Sequence, residues 1–111
     1  YNALVYANRS FANTKTEFFT SVGEDQMSKN MIKRWHEEGV SANYVCQSQH
    51  HTLGIYAISV DETGERTFTY WRKDSAATKM MSFGTVTDYV NRLSSADLVL
   101  FSGIAFGFLM S

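Results

Sequence analysis

A single cysteine, a nearly balanced charge and no long apolar run exclude several kinds of protein at once. Cys46 is alone, so it has no partner for an intrachain disulfide. The 10 Lys and Arg face 11 Asp and Glu, interspersed, for a formal net charge of −1. That balance supplies no electrostatic footprint for nucleic acid or an anionic membrane, and none for a basic partner. No apolar stretch nears the ~20 residues of a membrane helix, and no charged leader with an apolar core precedes the first element. These absences favour a reducing, cytoplasmic setting. Gly-rich phosphate loops of the Walker or dinucleotide type, internal repeats and low-complexity linkers are missing too. What remains is one domain at most: 111 residues, 44% hydrophobic and 14% aromatic, enough for a real core.

The metal and nucleophile signals are weak. His50 and His51 are adjacent, so on a strand they point to opposite faces, and no third ligand is near in sequence; His36 lacks a His four residues away. Cys46 reads as a small strand residue rather than a nucleophile. No metal site and no catalytic residue is assigned.

Hydrophobic spacing sets out an α/β order. Tyr1 to Arg9 reads as a short helix without a capping residue, and Lys15 to Val22 as a core strand ending at Gly23. Asp25 is a good N-cap for a helix from Gln26 to Glu38, with Gly39 as its C′ residue. Met27, Met31 and Trp35 recur at four-residue spacing and predict its packed stripe. Asn43 to Gln47 is a short strand. Ser75 suits the cap of a short helix through Met81, and Thr85 with Asp88 forms a capping box for Val86 to Leu93. In that helix Val86, Tyr89, Val90 and Leu93 make the apolar face. Ala96 to Phe101 is apolar without alternation and predicts a second core strand broken by Ser102 and Gly103, before the apolar run Ile104 to Met110. Both ends look cut, which predicts a fragment.

The most informative stretch is Thr52 to Arg72, a predicted β-hairpin. Its arms are Thr52 to Val60 and Arg66 to Arg72, and Asp61 to Gly64 between them suit a three-residue loop with a Gly bulge that pairs Asp61 with Glu65. Counting outward sets Val60 against Arg66, Ile58 against Phe68, Tyr56 against Tyr70 and Gly54 against Arg72, all on one face. Two phenols, a guanidinium and a gap without a side chain suit a small hydroxylated anion, since Arg grips a carboxylate through a planar fork. Aromatic residues are also favoured in any strand, and a terminal Arg is often merely solvated.

Gly64 to Arg72 (Gly-Glu-Arg-Thr-Phe-Thr-Tyr-Trp-Arg), followed by Ser75-Ala76-Ala77, resembles the lid segment of 2-keto-3-deoxygluconate kinases of the PfkB, or ribokinase-like, family. Asn2 to Ala7 resembles the start of the helix after that family's Gly-Gly-Asp substrate loop, and Val22 to Asp25 its Gly-Asp turn. Gly39-Val40, Leu53 to Tyr56 and Ser102-Gly103-Ile104 fall in matching order. Thr69 departs from the pattern, standing where an aromatic is more usual.

The resemblance implies a partial α/β/α sandwich carrying a small antiparallel β-lid, with 1–42 and 73–111 in the core and 43–72 in the lid. It implies a sugar-acid kinase that phosphorylates the terminal hydroxyl of 2-keto-3-deoxygluconate, with ATP and Mg held by a part of the protein outside this segment. The segment alone is then inactive. Substrate residues implied are Asn2, Tyr56, Tyr70, Trp71, Arg72, Ser102 and Gly103. Asn2 is equally readable as a helix N-cap, whereas Gly103 also suits the rule that ligands bind beyond strand carboxyl ends. Trp71, Thr67 and Thr69 look away from the ligand face and predict a homodimer or higher homo-oligomer through the lid. The alternatives are another family sugar kinase, such as a fructokinase, and a non-catalytic dimerisation module.

Overall fold

The β-to-α turn at Gly23 to Asp25 shows how the fold is built. In the computed structural model, which describes residues 1–109, Asp25 Oδ1 accepts the Ser28 amide (3.0 Å) and Asp25 Oδ2 accepts the Ser28 hydroxyl (2.7 Å). The same hydroxyl accepts the Gly23 amide (2.9 Å), so one buried serine joins strand end to helix start. These bonds, the hydroxyl's first, hold the Asp25 carboxyl below its ordinary value. They start helix α2 (Gln26–Glu37), which ends with the Gly39 amide on His36 O.

Four short strands make two parallel ladders. β1 (Thr16–Glu17) pairs with β3 (Val40–Ser41), and β2 (Thr20–Gly23) with β4 (Val45–Ser48). The expected strand from Lys15 to Val22 is therefore interrupted at Phe18 and Phe19. The two aromatics between the strands meet different helices. Phe18 meets Trp35 of α2 edge-on, with centroids 4.9 Å apart, while Phe19 meets Tyr89 in the same way at 5.5 Å. Tyr89 belongs to α3 (Val86–Leu93), so Phe18 packs on α2 and Phe19 on α3. Val5 of α1 (Asn2–Ser10) joins Val22, Trp35 and Val40 in the core.

The observed pairing of β4 corrects the grouping of Asn43 to Gln47 with the lid: Val45 to Ser48 form a parallel ladder with β2 instead. The stripe of α2 is also corrected. Trp35 is buried, but Met27 is 55% and Met31 36% exposed, and the inward line is Ser28, Ile32, Trp35. The close approach of helix to strand end at Gly23 admits a serine that answers the backbone, and no methionine fills that place. In α3 the Thr85 and Asp88 capping box forms as expected, with Tyr89 inward, while Val86 (76%) and Val90 (58%) are exposed.

Two further expectations differ. Residues 76–82 form a 3-10 helix (Ala76–Ser82), in which the Ser75 carbonyl rather than its side chain takes the Thr78 amide (3.0 Å). Ser21 Oγ bonds the Ala76 carbonyl and fastens this helix to β2. Ala96 to Phe101 forms no strand. Leu98 is 86% exposed, and among the described residues no ladder reaches this run. Apolar content does not make a strand without a partner edge. Ser102 and Gly103 instead open α4 (Gly103–Leu109); Met110, the last residue of the expected apolar run, lies outside the described residues.

Candidate functional site

The hairpin forms as predicted, from β5 (Ile55–Val60) and β6 (Arg66–Trp71). Its loop is held by one carboxylate: Asp61 Oδ1 accepts the Thr63 amide (2.8 Å), the Thr63 hydroxyl (2.7 Å) and the Glu65 amide (3.0 Å). The Thr63 hydroxyl is the largest cause that holds the Asp61 carboxyl below its ordinary value. The Asp61 amide donates to Glu65 O (3.1 Å), and Gly64 has φ +85°, the left-handed conformation that favours glycine. Val60 opposes Arg66, Ile58 opposes Phe68 and Tyr56 opposes Tyr70.

Because side chains alternate across the ladder, Tyr56, Phe68 and Tyr70 share a face. The Phe68 and Tyr70 rings stack at 6.1 Å, and Tyr56 lies 6.2 Å from Tyr70. At the root of this row the Arg72 guanidinium carbon sits 4.3 Å from the centre of the Tyr70 ring. The paired ladder stops at Ile55 and Trp71, but Gly54 still abuts Arg72: a Cβ on Gly54 would lie 2.8 Å from Arg72 Cβ and 3.2 Å from Ser75 Cβ. The two chains meet there because Gly54 has no side chain.

A cavity of about 360 Å³ opens at this root, lined by Thr52, Leu53 and the continuous run from Tyr70 to Ser75. It brings together Tyr70, Trp71 and Arg72. Tyr56 touches it only through Tyr70, its neighbour across the ladder. Asn2 stands exposed in the first turn of α1, where Tyr1 holds the N-cap position, so Asn2 does not cap the helix. Ser102 is exposed before α4, with Oγ accepting the Ala105 amide (3.3 Å), and Gly103 follows. Neither these two nor Asn2 is part of the cavity wall.

Lys73, Asp74, Thr52, Leu53 and Ser75 were missed as wall residues. Their signal was adjacency: a strand ending at Trp71 gives way to a turn at Lys73 and Asp74 beside the start of the hairpin. Asp74 Oδ1 lies 3.2 Å from Lys79 Nζ, and Asp74 Oδ2 lies 3.4 Å from His51 Nδ1. His51 Nδ1 also lies 3.2 Å from Asp74 O. The Lys79 contact is the largest cause that lowers the Asp74 carboxyl from its ordinary value. Cys46 is half-buried with Arg92 3.7 Å from its sulfur, and no cluster of three His, Cys, Asp or Glu exists among the described residues. Among them, too, no helix is long and apolar enough to cross a membrane.

Similarity to known proteins follows the same lines. Residues 1–110 match the family described as pfkB family carbohydrate kinase. The 2-dehydro-3-deoxygluconokinase of Haemophilus influenzae is 34% identical over 110 residues, covering 97% of this chain and 35% of that protein. The chain thus spans about a third of the length of that relative. The fructokinase of Vibrio cholerae O395 superposes with a TM-score of 0.61 at 28% identity, over 69% of this chain and 26% of its own. The Thermotoga maritima 2-dehydro-3-deoxygluconokinase shares the fold, with a TM-score of 0.63 at 18% identity over 85% of this chain and 28% of its own. The fold is that of the ribokinase-like kinases, and the chain belongs to the PfkB family of carbohydrate kinases.

Proposed function

We propose that this chain is the substrate-recognition and lid portion of a kinase that transfers phosphate from ATP to the terminal hydroxyl of 2-keto-3-deoxygluconate, the 2-dehydro-3-deoxygluconate of its relative's name. The observation that carries the reading is the placement of Arg72 on the Tyr70 ring at the edge of a cavity. A guanidinium stacks on an aromatic face and has a planar fork of N–H donors that matches a carboxylate. Arg72 binds the carboxylate and Tyr70 and Tyr56 offer hydroxyls, with Trp71 contributing only at the edge where the cavity meets the outer face. Asn2, Ser102 and Gly103 belong to the substrate site of the whole protein, and residues beyond β4 up to Arg72 form the lid.

The described residues offer no donor set that fits ATP with Mg: no cation cluster and no Gly-rich phosphate loop. When bound elsewhere in the whole protein, that pair supplies the phosphoryl group and its charge neutralisation. The work of this segment is binding, orientation and exclusion of water, and positioning of this kind accounts for much of phosphoryl-transfer catalysis. The protein acts in the cytoplasm and pairs through the outer lid face.

The test is kcat/KM of the complete protein encoding this chain, for the keto-acid against fructose. A preference for fructose overturns the assignment in favour of the fructokinase reading, which the Vibrio cholerae likeness favours. The isolated 111-residue chain releases no ADP above background in a coupled assay.

A further inference from the structure

The cavity wall includes a serine that holds the position of a helix cap and does not cap. Ser75 is the N-cap residue of the 3-10 helix, with φ −73° and ψ 156°, the extended conformation from which a serine hydroxyl ordinarily accepts an amide of the first turn. Here the Thr78 amide (3.0 Å) and the Thr78 hydroxyl (2.7 Å) both donate to the Ser75 carbonyl, and the Ser75 amide donates to Arg72 O (3.2 Å). The Ser75 backbone is thus committed, whereas among the described residues no hydrogen bond engages its hydroxyl. The residue is only 7% exposed and lines the cavity. Its oxygen is not sealed in: among the described residues Thr16 Oγ1 is the one sealed side-chain oxygen or nitrogen without a partner. Gly54 leaves it uncovered, since a Cβ there would lie 3.3 Å from Ser75 Oγ.

A polar group so deeply placed costs free energy unless something answers it. We propose that Ser75 is a further substrate-binding residue, its hydroxyl donating a hydrogen bond to an oxygen of the sugar acid seated in the cavity. The inference rests on this cavity being the substrate site; Arg72 plays no part in it. Ser75 stands at the head of the 3-10 helix, which the Ser21 hydroxyl fastens to β2 through the Ala76 carbonyl. The donor is therefore in place before the ligand arrives, and little ordering accompanies binding.

Steady-state kinetics of the complete kinase on 2-keto-3-deoxygluconate, with the melting temperature of the ligand-free protein, separate this from a packing role. S75A raises KM for the acid about three- to tenfold, the worth of one ordinary hydrogen bond, with kcat unchanged. Its melting temperature equals or exceeds that of wild type, because the hydroxyl makes no bond within the protein to lose. S75C keeps the volume but donates weakly, and its KM is raised as in S75A. An unchanged KM in S75A, a wild-type KM in S75C or a lowered melting temperature in S75A overturns the inference while leaving the proposed function intact. A wild-type protein that does not phosphorylate the acid overturns both.

Discussion

Removing the Arg72 guanidinium probes the site most directly. The side chain sits at the root of the hairpin, its guanidinium carbon 4.3 Å from the centre of the Tyr70 ring, with Gly54 leaving room beside its Cβ. Stacking on an exposed ring holds the cation with about 0.5–1 kcal/mol. The fork is therefore partly ordered before a ligand arrives, which lowers the entropy cost of binding. A two-point contact to a carboxylate in a partly closed site is worth about 2–4 kcal/mol. Its loss costs roughly 30- to 1000-fold in kcat/KM. Arg72→Ala in the complete enzyme therefore loses most of its preference for the keto-acid over the neutral 3-deoxy-D-fructose. Arg72→Lys keeps charge but not the fork, and is impaired as well. The assay is kcat/KM on both substrates for wild type and both variants. If selectivity for the acid survives in Arg72→Ala, the carboxylate is bound elsewhere, and the reasoning from the hairpin register to the ligand fails.

Three other outcomes follow from the same geometry. Gly54→Ala sets a methyl 2.8 Å from Arg72 Cβ and spreads the lid root, which raises KM for the acid about tenfold in steady-state kinetics with less effect on thermal stability; an unchanged KM rules out this contact as a constraint. Trp71, paired with Ile55 on the outer lid face and 60% exposed, is the anchor of the proposed dimer, so Trp71→Lys shifts light-scattering mass toward monomer. The Asp25 carboxyl has a folded pKa below its unfolded one, so its contribution is present above the ordinary carboxylate range and is lost as pH falls through the folded value; denaturant midpoints drop below about pH 4, and Asp25→Asn removes that part of the pH dependence.

Which features were legible in the sequence divides along local and non-local physics. The hairpin loop, the Asp25 cap and the Thr85 and Asp88 box are decided by residues within four positions of each other, and each appears with the expected partners. Once the loop is set, strand alternation carries the register outward to Tyr56 and Tyr70 without further information. The partner of β4 and the fate of Ala96 to Phe101 depend instead on which distant edge is reached, and apolar content is silent on that. The α2 stripe failed for a related reason. Methionine spacing and serine spacing are both helical, and only the contact at Gly23 decides which line faces the sheet. In the site, Arg72 and Tyr70 were legible as strand neighbours, whereas Asp74, Lys79 and His51 converge through the bend after β6 and the docking of the 3-10 helix.

The hairpin's own energetics bear on the proposed lid role. Every residue of β5 and β6 is exposed, and a lone two-stranded hairpin is marginal in water. What holds this one is concentrated at its two ends. At the tip the Asp61 carboxylate gathers three donors, and at the root the Ala76 amide bonds Thr52 O (2.8 Å) while Gly54 lets the arms converge. Between them, the row Tyr56, Phe68, Tyr70 is an apolar surface with hydroxyl tips, more stable covered than wet. A sugar ring or another surface against this row therefore gains more from contact than a flat polar strand would offer. A hairpin fixed at tip and root but uncovered along its length is rigid in register and open in occupancy, the combination that the proposed lid role needs.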